Sequence, residues 1–318
     1  MADIQALLPT LDFRDADGIR RASLVFSISM FTDVSFLAMP ERVLRCQELF
    51  FEFCPREALR FYATENMRKH RTVNAKVFGM LELWLKNPAS KDEVVALELK
   101  DGDHVLDAPK HLFKVYGRDK NAHGKPDELA NSLSLCFPPE FGIHRADEMF
   151  DLTRRLAEVF PYQSGCAGFA YQCSRYSPEL GESFAWQRSM RYPEIDIVRS
   201  PHDRHAVERN AVKTVGWLTL VCDTFLAELG GEEAIEKSLG ADVGRIKAGG
   251  GLIFRIGPSP TISDRNRGET SPAYTKLYFA LRPLIEKARE QSPWFATGCN
   301  DQDEQTESWY RRFERSDH

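Results

Sequence analysis

The segment Val215–Cys222, VGWLTLVC, carries apolar side chains on both of its alternating faces. A strand of that kind needs cover on each side, so it predicts the middle of a sheet rather than an edge. The stretch Gly249–Arg289 is the most regular piece near it. Leu252, Phe254 and Ile256 alternate with Ile253 and Arg255, the period-two pattern of a strand with an apolar face. Gly257-Pro258 ends that strand, because proline lacks an amide donor and holds φ near one value. Ser271-Pro272 then offers an N-cap residue followed by proline at the first helical position. Tyr274, Leu277, Tyr278, Leu281, Leu284, Ile285 and Ala288 share one face of the helix that follows. Pro283 interrupts the run and predicts a kink or a break.

The same reading extends over the rest of the chain. Leu24, Phe26 and Ile28 alternate with Val25, Ser27 and Ser29, giving a first strand with two unlike sides. A helix follows from Pro40 to Phe53, and Pro55 stops it. Leu59, Phe61 and Ala63 fit a short strand or an extension of helix. Val73–Lys86 reads as a helix, and Val94–Lys100, Leu112–Tyr116 and Ser132–Phe137 read as strands, with the polar GRDKNAHGKPDE as a long loop between the last two. Asp147–Phe160 predicts a helix, Gly168–Cys173 a strand and Pro178–Met190 a helix. Asp223 caps a short helix over Thr224–Leu229, which Gly230-Gly231 ends, and Glu232–Leu239 is helical again.

Strands and helices are interspersed without strict βαβ alternation or a glycine fingerprint loop, which predicts the α+β class. The expected architecture is mixed or antiparallel sheets layered with helices, with room for two similar sheet-and-helix halves. Residues 1–143 and 144–292 are the expected halves, and 293–318 form an acidic, aromatic tail. No linker rich in Pro, Ser or Gly separates the halves, so one compact domain fits as well.

Charge and cysteine usage narrow the function classes. The net charge of −5 argues against a general nucleic-acid binder and suits a basic partner. The N-terminus lacks the basic start and apolar core of a secretory signal, and no apolar run reaches membrane-spanning length. Seven cysteines without a CxxC pair fit free thiols in a reducing compartment, with the cytoplasm as default.

Four groups invite a chemical role, and each has a plainer explanation. The triplet Gly249-Gly250-Gly251 precedes a strand, whereas a phosphate cradle follows a strand and opens a helix, so a bulge or tight turn is expected. His202, His205 and Glu208 have metal-ligand spacing but no second cluster to complete a coordination shell, and surface histidines explain them. Asp264, Arg265, Asn266, Arg267 and Glu269 could be read as acid, base and oxyanion groups. Asx-type turn bonding, local charge pairing and a positive φ at Gly268 account for the same residues. Asp301, Asp303, Glu304 and Glu307, with Trp309 beside them, could dock on a basic protein surface, or the tail could fold back on its own domain. The basic run Met67–Arg71 could contact an anion or a nucleic acid, and a solvated loop before a helix explains it more simply. No motif implies a cofactor, a metal or a catalytic residue.

Three segments carry a family resemblance: GWLTLVCDTFLAELGG at 216–231, GGGLIFRIGPSPTISDRNRG at 249–268 and SPAYTKLYFALRPL at 271–284. In these the chain resembles the immunity family of the type VI secretion system that was long catalogued as a domain of unknown function. The resemblance implies a non-enzymatic antitoxin that binds a cognate toxic effector of the nuclease kind in the cytoplasm, with no direct nucleic-acid or membrane contact. It carries over no catalytic residue, because its motif consists of glycines, prolines and alternating apolar positions. A hydrolase or nucleic-acid-processing enzyme using the Asp264–Glu269 loop or the His202/His205 pair is the first alternative. A structural scaffold is the second.

Overall fold

A computed structural model describes residues 4–65, 67–87, 94–118, 130–199, 202–207, 210–291 and 301–314. Along the chain the elements are α1 (Ile4–Leu11), β1 (Phe13–Arg14), β2 (Arg20–Thr32), α2 (Pro40–Phe51), β3 (Phe61–Thr64), β4 (Arg71–Thr72), α3 (Met80–Lys86), β5 (Val94–Lys100), β6 (Leu112–Arg118), β7 (Asn131–Phe137), α4 (Glu140–His144), α5 (Ala146–Val159), β8 (Ser164–Cys173) and α6 (Pro178–Arg191). They continue with β9 (Asp196–Val198), α7 (His202–Ala206), β10 (Leu218–Cys222), α8 (Asp223–Glu228), α9 (Glu232–Ser238), β11 (Val243–Ala248), β12 (Gly251–Ile256), α10 (Pro272–Gln291) and α11 (Gln302–Tyr310).

The strands form one sheet in the order β11-β12-β10-β8-β2-β7-β6-β5-β3-β4, with β1 against β2 and β9 against β8. The described pairings are antiparallel except β8–β9. The α+β expectation is met. The centre of the sheet is the pairing of β2 with β8, from Ala22↔Cys173 to Phe31↔Ser164, so the sheet runs unbroken across the 143/144 boundary. β10 lies between β8 and β12, as its two apolar faces require.

One face of the sheet is apolar. Phe26 pairs with Phe137 and Phe169, and Leu135 pairs with Phe113, which puts these side chains on a common side. Helix α2 covers that side, with the Phe50 ring 5.5 Å from Phe113 and 5.4 Å from Phe137. A buried aromatic of this size contributes about 2 kcal/mol by area alone, so the contact fixes α2 on the sheet. The opposite side of β2 carries Ser23, Val25, Ser27 and Ser29. The two sides do differ in chemistry, but every residue of β2 is buried.

Several local expectations change. Val73–Lys86 shortens to a 3-10 turn and α3. Asp223 is the first residue of α8 and Cys222 occupies the cap. β11 was not anticipated. It pairs with β12 as a hairpin whose closing pair is Ala248↔Gly251, so Gly249-Gly250 form its two-residue turn and Gly249 takes φ +59. The glycine triplet is therefore a tight turn, as expected. Helix α10 continues through Pro283 without a break. Pro283 lies on the exposed side, where water can bond the carbonyl that the missing N–H leaves behind. The seven residues placed on one face of α10 are its buried residues.

Candidate functional site

The polar side of the sheet holds a cavity of about 370 Å³ above β3, β5, β6 and the end of β8. Register explains its composition. Ala63 pairs with Glu98, and Glu98 pairs with Lys114, while Lys100 lies two residues along β5 on the same side. Each strand thus directs its charged side chains away from the apolar layer and into the cavity.

His70 and Tyr176 close one wall. The His70 backbone N–H donates to the Tyr176 hydroxyl oxygen at 2.8 Å, and that hydroxyl lies 2.9 Å from His70 Nδ1. The ionised Glu98 carboxylate only accepts, so Nε2–H donates to its Oε1 at 2.7 Å, and in the neutral imidazole Nδ1 then accepts the phenol hydrogen. The second carboxylate oxygen of Glu98 meets Lys114 Nζ at 3.0 Å. Burial opposes ionisation of Glu98, but Lys114 and His70 together outweigh it and hold the carboxyl well below its usual range. Asp107 accepts the backbone N–H groups of Arg20, Asp103 and His104. Those donors overcome its burial and lower its pKa as well. Lys100 is 2 % exposed, and its ammonium donates to the Asp107 carbonyl at 2.5 Å. Burial pulls its pKa down to about 8 against the pull of Glu98, Asp107 and Asp101.

Sequence reading passed over this cluster. Its signal was the pair Glu98 and Lys100 at alternate positions of an otherwise apolar strand, VVALELK, with Lys114 inside LFKVYGR. Joining the two required the β5–β6 register.

His70 comes from the basic run Met67–Arg71 expected as a solvated loop, but its side chain is buried against Tyr176 and Glu98. The other residues singled out in the sequence lie elsewhere. Asp264 is 1 % exposed and holds Arg191 through two bonds of 2.8 and 2.6 Å, while its Oδ1 caps the Asn266 N–H. The Arg191 bonds, more than any other contact, lower its pKa against burial. Glu269 accepts the Asp264 N–H, and Gly268 adopts φ +67. Arg265 donates to the carbonyls of Met190 and Arg312. These contacts make the loop a shaped connection tying α6 to the C-terminal segment. His202 and His205 sit on the short helix α7, but their side chains and all of Glu208 lie outside the described residues. Among the described residues no group of three or more His, Cys, Asp or Glu could hold a metal ion. Cys166 and Cys173 share β8 on opposite sides, and burial raises both thiols.

The tail folds back onto the body. Trp186 Nε1 donates to the Gln305 carbonyl, and Arg312, fully buried, donates to the Pro193 carbonyl and the Thr214 hydroxyl. Trp309 is 1 % exposed, with the Arg312 guanidinium 4.0 Å from its ring centre. Glu307 pairs with Arg289 and Arg311. Asp301, Asp303 and Glu304 remain exposed on and beside α11. The stretch 293–300, with Trp294 and Phe295, is outside the described residues.

The model of the family TsiV, described as type VI immunity for VRR-NUC, matches residues 42–313. The chain belongs to the TsiV family. The matched span takes in ten of the twelve strands, from β3 to β12, and runs on through α11. TsiV membership makes the chain a type VI immunity protein and bears out the family reached from its sequence motifs. The fold is similar to that of the Pseudomonas aeruginosa T6SS protein PA0821, with a TM-score of 0.79, 20 % identity, and 98 % of this chain and 90 % of that chain covered. At that identity the likeness shows the fold alone. No curated protein matches the chain. Among the described residues no helix is long and apolar enough to cross a membrane.

Proposed function

We propose that this TsiV protein neutralises a VRR-NUC nuclease effector by binding it directly, inside the cell that makes both, without catalysing a reaction of its own. The observation that carries the reading is the family match over 42–313. Charge supports it. A nuclease must be basic where it holds a phosphate backbone, and a partner of net charge −5 is steered towards such a surface. Asp301, Asp303 and Glu304 are the proposed first contacts, because they are exposed, whereas Trp309, Arg312 and Glu307 secure the tail. Expression of a cognate VRR-NUC effector tests the proposal. Growth is restored when the immunity protein is co-expressed, and the tagged pair co-purifies. Unrelieved toxicity together with no co-purification would overturn it. The triple variant Asp301→Lys, Asp303→Lys, Glu304→Lys is expected to slow association at least tenfold at low salt while leaving the fold intact, as read by surface plasmon resonance and circular dichroism.

A further inference from the structure

Glu98 and Asp107, two of the four carboxylates that line the cavity on the polar sheet face with Glu65 and Glu182, are committed to partners within the protein. Glu98 is shared between His70 and Lys114, and Asp107 accepts three backbone N–H groups. Lys100 is different. Its ammonium has three donors, and its one hydrogen-bond acceptor among the described residues is the Asp107 carbonyl. The Phe61 ring, 5.8 Å away, adds only a weak cation–π contact. Glu98, Asp107 and Asp101 lie near enough to favour the Lys100 charge, but two of its N–H groups are left without a hydrogen-bond acceptor among the described residues, and a ligand oxygen can supply one.

The lining is mixed in charge, with the four carboxylates against His70, Lys100, Lys114, Arg175 and Arg199, and its basic groups lie beside an apolar flank. Pro178, in the first turn of the fourteen-residue helix α6, lines the cavity, and the Ser177 side chain ahead of it makes no capping hydrogen bond. Ser177 is one of two non-glycine residues with positive φ among the described residues, at φ +51. Such backbone strain is held in place by its surroundings, and here it sets the positive end of α6 against the cavity wall. Arg175 lines the same rim. Ala63 and Ala96 give the cavity an apolar flank beside Lys100. A volume of about 370 Å³ lies within the range of small-molecule sites.

We propose that this cavity binds an organic anion, with its carboxylate or phosphate head on Lys100 Nζ and its body against Ala63 and Ala96. The head group can belong to a free small molecule or to an acidic side chain of a bound effector, and the two sources share one recognition chemistry. The site stands on the cavity itself and does not require the effector reading.

The test uses the full chain, with citrate and inorganic phosphate as probes and sodium chloride of equal ionic strength as control. Melting temperature is followed at pH 7 for the wild type and for Lys100→Met. The wild type is expected to gain several degrees with either probe over chloride. Lys100→Met is expected to melt at or above the wild-type temperature without probe and to need at least tenfold more probe for the same gain. A lower melting temperature without probe, with the probe response retained, marks Lys100 as structural and overturns the proposal. If neither probe acts on the wild type, affinity for the effector decides. A tenfold loss in Lys100→Met assigns the head group to an effector side chain, and unchanged affinity overturns the site. Should Lys100→Met not fold, spectra of wild type labelled with 13C at lysine carry the test. The Lys100 Cε signal must then move with citrate or phosphate while that of exposed Lys237 stays, and a stationary Lys100 signal overturns the site.

Discussion

Glu194 is 4 % exposed, and its two oxygens accept the Ser263 hydroxyl and the Ser263 N–H. Burial pushes its pKa up to about 6, with the Ser263 bonds pulling the other way. The folded value lies above the unfolded one, so the contribution of Glu194 to stability is fully present below about pH 4.5 and is lost as pH rises through 6. Glu194→Gln keeps an acceptor for Ser263 and removes the charge. It is expected to raise stability at pH 7 by about 2 kcal/mol and to leave it unchanged at pH 4, as measured by urea unfolding. An equal effect at both pH values would contradict the assignment. Lys100 has the opposite sign. Its folded pKa of about 8 lies below the usual lysine value, so its penalty is complete below pH 8 and is relieved as pH rises towards 10.5. At this scale the sequence was informative where the chemistry is local. The turn-forming character of Asp264 and Gly268 follows from neighbours within five residues. The Glu98–Lys114 pair was hidden because its members are sixteen positions apart and meet only through strand register.

The hairpin β11–β12 rests on two glycines for different reasons. A Cβ on Gly249 would lie 2.1 Å from the Ala157 carbonyl oxygen, and its φ of +59 is one that L side chains rarely adopt. Gly249→Ala is therefore expected to cost about 2 to 4 kcal/mol in urea unfolding, because the turn must leave the end of α5. Gly250→Ala, with no atom within 4 Å of its would-be Cβ, is expected to cost less than about 1 kcal/mol. Equal losses at both positions would contradict the close approach. Strand β12 and helix α10 were readable because their apolar residues keep strict periods of two and 3.6. Strand β11 was not, since VGRIKA mixes glycine with Arg245 and Lys247 and gains its pairing only from the turn behind it. The break allowed at Pro283 followed a sound local rule, which the solvent exposure of that side of α10 relaxes.

Across the whole molecule the α+β class was readable from the order of elements, but the single sheet was not. The β2–β8 pairing joins residues about 140 positions apart, and nothing in the composition between them announces that contact. We expect residues 1–143 and 144–318, expressed separately, to remain unfolded or aggregate, because each would expose one edge and the apolar face of a central strand. Mixing the two should restore the circular dichroism of the full chain, and independent cooperative unfolding of either fragment would show that the halves are separate domains. Arg312 and Trp309 tie the C-terminal segment to this continuous sheet. The most direct measurement is a titration of the purified VRR-NUC effector with this protein while DNA cleavage is followed. Cleavage is expected to fall to background at a stoichiometric ratio, with the two proteins eluting as one complex. Undiminished cleavage at a tenfold excess, with the two proteins eluting apart, would contradict neutralisation by direct binding.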